Sequence, residues 1–175
     1  MSMKDLMLEQ LAISRRIVSD GHEVVPAWRV ETPDGAWLIL TRFDPAKPGQ
    51  SERPLYLVRR FMAWKFARAF VMTAETWLDT KQTGVVIEPS ATREEAVTAV
   101  GASGTERLAV LQRIRRKDAA VEFGPLEWLS PEQCDYDSLY WTLLPRREET
   151  VTAKEAAELA AIFAESGELP AQKLN

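Results

Sequence analysis

Few residues in this chain have the types that chemistry needs. There is one histidine, His22, and one cysteine, Cys134. A base and a nucleophile are therefore available once each, and Glu75 or Asp20 could orient the imidazole. Glu75 stands out because it lies in an apolar strand-like run, where a bare carboxylate is costly unless it is paired, hydrogen-bonded or neutral. Lys65, Arg113 and Arg29 are its candidate partners. A single histidine excludes two-histidine zinc motifs and facial triads. A lone cysteine excludes multi-cysteine zinc sites and internal disulfides. Carboxylates close in sequence, Asp135 with Asp137 and Glu94 with Glu95, could meet a hard cation, but no Asp/Asn-rich loop with a terminal Glu accompanies them. The sequence around Cys134 is acidic, which raises a thiol pKa rather than lowering it. No cofactor is implied.

Binding chemistry is better supplied. Two basic windows occur, one with Arg53, Arg59, Arg60, Lys65 and Arg68, the other with Arg107, Arg113, Arg115, Arg116 and Lys117. Six tryptophans, Trp77 among them, exceed what one core absorbs without finding partners for their indole N–H groups. Trp and Arg are enriched at contact hot spots. The candidate binding surface is accordingly Arg59, Arg60, Lys65, Arg68, Trp77, Arg113, Arg115 and Arg116. Gly101-Ala102-Ser103-Gly104 has the spacing of a phosphate-clamping Gly-x-x-Gly loop, yet it lacks Lys and Arg, and alternation on both sides fits a hairpin turn.

The 175 residues carry a net charge of −4 with 46% apolar residues, a globular composition for one domain. Residues 1–117 hold 18 Lys and Arg against 14 Asp and Glu, and residues 118–175 hold 4 against 12. The acidic third is expected to fold over the basic windows or to meet them on a second copy. An acidic total argues against a dedicated nucleic-acid domain. Apolar runs fall short of the roughly 20 residues of a membrane span. With no signal-peptide core after Lys4, a cytoplasmic location without membrane contact is expected.

The positioning elements follow from periodicity. Met3, Leu6, Met7 and Leu11 recur at helical spacing behind a Ser2/Asp5 capping pair, predicting a helix over 3–19. Residues 22–31 and 36–43 flank Pro33-Asp34-Gly35 as a hairpin, its first strand kept from the sheet centre by Pro26. Ser51 is a cap for a helix with Leu55, Val58, Phe61 and Met62 on its apolar stripe. Lys65 would fall inside that stripe, so the helix ends near Trp64 or Lys65 and a strand runs over 66–78. Val85 to Ile87 is a short edge strand or a loop anchor. Residues 95–100 and 107–115 form a hairpin, and 119–123 a short strand. Thr152 and Glu155 cap a last helix that Gly167 ends. The expected fold is a single α+β domain over 1–167, a mainly antiparallel, possibly mixed, sheet of five to six strands with N-terminal, central and C-terminal helices, followed by a flexible tail over 168–175.

The segments Ala74-Glu75-Thr76-Trp77 and Thr92-Arg93-Glu94-Glu95-Ala96-Val97, with the Gly101 to Gly104 turn, resemble a pattern in small bacterial proteins of uncharacterised families. The resemblance covers about the middle quarter of the chain. It implies bacterial origin and carries no catalytic residue across. The expected function is a non-catalytic protein-binding or assembly domain that self-associates. The alternatives are a metal-independent hydrolase or transferase using Glu75 with His22 or Cys134, and RNA binding through Arg113 to Lys117.

Overall fold

A computed structural model describes residues 1–42, 52–79, 93–118, 120–130, 133, 143–145, 149–165 and 167–174. Its elements in chain order are α1 (Met3–Ser19), β1 (Ala27–Thr32), β2 (Gly35–Leu40), α2 (Glu52–Trp64), β3 (Ala69–Asp79), β4 (Arg93–Ser103), β5 (Arg107–Lys117), β6 (Ala120–Trp128), α3 (Ala153–Ile162) and β7 (Ala171–Leu174). The strands form one antiparallel sheet in the order β6-β5-β4-β3-β1-β2-β7. This is the α+β architecture that the alternation of helical and strand periods implies.

Strand parity assigns every side chain to one of two layers. Val71, Val97, Ala99, Val110 and Ile114 face α1, whose Met3, Leu6, Met7 and Leu11 cover them. Gly101 lies beneath this helix: a Cβ there would come 2.6 Å from the Met3 sulfur and 3.0 Å from that of Met7. Trp28, Val30, Ile39, Phe70 and Met72 face the other way, into a cluster with Leu55, Val58, Phe61 and Met62 of α2, and with Leu159 and Phe163. Burial of such side chains contributes about 1.5–3 kcal/mol each, which makes the two layers the main source of stability. Trp28 is fully buried, its indole N–H donating to Thr41 Oγ1 at 3.1 Å.

Both capping boxes form, Ser2 with Asp5 and Thr152 with Glu155. Helix α2 ends at Trp64, where the Lys65 conflict placed the boundary. The Ser51 cap and Val85 to Ile87 lie outside the described residues. The strand expected from residue 66 begins at Ala69 instead, because Phe66 takes a left-handed φ of 53° and turns the chain. β1 occupies an interior position, not an edge, since its ladder starts at Ala27 and asks nothing of Pro26, whose carbonyl accepts from Thr41 N. The residues expected as a loose tail include β7, which pairs with β2 and supplies the seventh strand. Gly167 permits that return, because a Cβ on it would lie 2.2 Å from the Ile162 carbonyl oxygen.

Both sheet edges are poor templates for a further strand. β6 is interrupted by Gly124 and Pro125, where its register with β5 shifts, and β7 has four residues with Lys173 among them. Short, charged or proline-broken edges discourage strand addition.

Candidate functional site

Two places in this fold hold unusual side-chain chemistry, one on each side of the sheet. The first follows from Glu75. Register sets Glu75 of β3 opposite Val97 of β4 and Val97 opposite Gln112 of β5, all on the α1 side. Glu95 and Arg116 share that side by parity. Arg116 Nε donates to Glu95 Oε2 at 2.9 Å, and its guanidinium lies 3.9 Å from Glu75. Val24, just beyond α1, donates its backbone N–H to Glu75 Oε2 at 3.3 Å, which ties the α1–β1 connection to the sheet. Burial pushes the Glu75 carboxyl above the usual carboxylate range, and Glu95 adds to the rise, while the Val24 N–H and Arg116 pull it down. Gln112, 5% exposed, donates to the Gly124 carbonyl at 2.7 Å, and its side-chain carbonyl oxygen has no partner among the described residues.

The expected partners of Glu75 were therefore the wrong ones. Arg113 has the opposite parity to Arg116 and reaches Glu94 and Glu127 on the far side. Lys65 also lies across the sheet. Arg29 is on the correct side but is taken by Glu9 and Glu31, each at 2.7 Å. Alternation puts Arg116 on the face of Ile114 and Gln112, and the β4–β5 register then sets it beside Glu95 and Glu75.

The catalytic alternative joins Glu75 with His22 or Cys134, and only the first pair falls among the described residues. His22 is exposed and its side chain makes no hydrogen bond or ion pair with Glu75. Cys134, Asp135 and Asp137 lie outside the described residues, and of Trp77 only the backbone, in β3, is described. No group of three His, Cys, Asp or Glu among the described residues could hold a metal ion.

Among the described residues, half of the basic-window residues are ion-paired, and the acidic third supplies several of the partners. Arg53 pairs with Glu168, Arg59 with Glu149 and Arg60 with Glu155. Arg68 and Arg115 are exposed and have no ion pair among the described residues. Lys65 has none either, and it marks the second place.

Lys65 follows the last residue of α2, where its ammonium lies 3.9 Å from the Trp64 ring centroid and 4.8 Å from that of Trp37 on β2. These rings line a cleft of about 270 Å³ together with Phe61, Phe163 and Glu165. Phe61 is the floor: it meets Trp37 at 5.6 Å and Trp64 at 5.8 Å, both edge-on, and Phe163 at 4.7 Å. Edge-to-face contacts hold the rings in fixed orientations. The next residue, Phe66, is 75% exposed in its left-handed conformation, an uncommon state for a bulky side chain. Sequence reasoning noted the tryptophans and Lys65 separately, and missed the cleft because it joins α2, β2 and the end of α3.

No protein-family model, no curated protein and no solved structure matches this chain.

Proposed function

We propose that the protein is a non-catalytic binding domain that recognises its partner at the aromatic cleft between α2, β2 and the end of α3. One observation carries the reading: an ammonium with no carboxylate partner among the described residues rests on two tryptophan faces in an open cleft. Charges that serve only the fold are normally paired, as those around Glu75 are. Strained, exposed residues such as Phe66 cluster at functional surfaces. At about 270 Å³ the cleft is smaller than the roughly 300–1,000 Å³ that envelops a drug-sized ligand, so it suits one side chain or headgroup. The blunted sheet edges favour such a guest over a second copy's strand.

A panel of cationic, anionic, aromatic and aliphatic fragments, followed by amide and indole NMR shifts, tests this. Shifts should centre on Trp37, Trp64 and Lys65. A panel that perturbs Glu75, Glu95 and Arg116 while the cleft stays silent would move the functional site to the other face.

A further inference from the structure

We infer that the cleft binds a methylated ammonium group, and that Lys65 occupies that group's place when no ligand is present. This rests on the cleft being the recognition site and adds the chemical class of the guest. A cation is attracted to the negative face of an aromatic ring, most strongly to tryptophan, and useful distances extend to about 6 Å from the ring centroid. Lys65 Nζ satisfies that limit for Trp37 and Trp64 together, so the structure marks a point where two ring faces share one positive charge. Both rings pack edge-on against Phe61, which is 1% exposed, and this packing favours the observed orientations. Glu165 in the lining adds an anion to a wall that is otherwise apolar. A protein with a net charge of −4 also attracts cations at longer range.

Lys65 is a poor permanent occupant. A primary ammonium is strongly hydrated, and it sits at the end of a flexible four-carbon stem. A trimethylammonium carries the same charge with apolar methyl groups on its surface, so it gives up less hydration on entering and fills more of the cleft. Aromatic cages select such groups for this reason. Displacing Lys65 returns one half-buried side chain to water and breaks no ion pair among the described residues, which keeps the exchange inexpensive.

The test titrates the full chain with choline and with its neutral isostere 3,3-dimethylbutanol, following the indole N–H resonances of Trp37 and Trp64. Choline should bind saturably and at least roughly threefold more tightly than the neutral alcohol. Lys65→Ala should tighten choline binding by about threefold by removing the competing ammonium. Trp64→Leu, which keeps apolar volume without the π face, should weaken choline by up to about tenfold and leave the alcohol nearly unchanged. Trp64→Phe provides a milder second variant that retains an aromatic face. Equal affinity for choline and the alcohol would overturn the ammonium inference and leave the cleft as a recognition site, and so would benzoate binding that is lost in Lys65→Ala. Choline affinity that Lys65→Ala fails to raise would overturn the role given to Lys65. A cleft silent to choline, the alcohol, benzoate and the wider fragment panel would remove both readings.

Discussion

On the α1 side of the sheet the strand-borne charges meet opposite charges, Arg29 with Glu9 and Glu31 and Arg116 with Glu95 and Glu75, while two exposed α1 cations, Lys4 and Arg15, rest on Trp128 and Phe123. At the α2 end of the other side, Lys65 has aromatic faces and no carboxylate within ion-pairing distance among the described residues. In the first arrangement every strand-borne charge has an opposite partner, and only the buried Gln112 carbonyl oxygen lacks one among the described residues. Glu75 fastens the α1–β1 connection through Val24, and Arg116 offsets the carboxylates that burial would otherwise penalise. In the second, Glu165 lines the cleft without pairing with Lys65, so the cation can leave without breaking an ion pair among the described residues. The contrast teaches where to look for function in a sheet protein whose ionisable residues are mostly paired. A network that satisfies itself needs no ligand, whereas a cation held by ring faces alone can be exchanged for another cation.

The sharpest way to break this comparison is through the packing beneath the cleft. Phe61 touches three other rings and is almost fully buried. Phe61→Ala should cost about 3–5 kcal/mol, seen as a melting temperature lower by about 10 °C or more. Glu95→Ala, which leaves Arg116 with only its long contact to Glu75, should cost less, about 1–3 kcal/mol. If thermal unfolding reversed that order, the Glu75 network would be the structural keystone and the aromatic layer the tolerant one.

Phe66 sharpens the comparison by separating stability from recognition. A left-handed φ costs an L-residue about 1–2 kcal/mol that glycine does not bear, and a side chain 75% exposed repays little of it through packing. Phe66→Gly should therefore raise the melting temperature by about 2–4 °C. If Phe66 belongs to the recognition surface, the same variant binds cleft ligands more weakly, and calorimetric titration reads that loss. A variant that melts lower would show that the phenyl ring packs against something essential.

What the sequence disclosed depended on how local each signal was. The helix starts at Ser2 and Thr152 were readable because a capping box spans four residues, and the end of α2 was readable because Lys65 would have broken its apolar stripe. β7 was not, since four residues carry too little alternation and its pairing is with β2, far earlier in the chain. Glu75 announced itself as an acid among apolar neighbours. Its partner did not, because choosing Arg116 over Arg113 requires the β4–β5 register as well as the composition. The cleft needed Trp37, Trp64 and Phe163 to converge from three elements, which no window of sequence contains.

The smallest expected effect concerns the proton on Glu75. Burial raises this carboxyl above its ordinary value of 4.5, so the folded chain holds the proton more tightly than the unfolded chain does. That contribution is present in full below the unfolded value and is lost as pH rises through the folded one. Glu75→Gln keeps the shape and an acceptor for the Val24 N–H but has no proton to lose. At pH 7 the variant should melt higher than the parent, and the gap should close as pH falls below the ordinary carboxylate value. A variant that melts lower at pH 7 would mean the carboxylate is ionised and firmly paired with Arg116. The α1-side network would then be a conventional ion pair that acid weakens, and the pH profile would slope the other way.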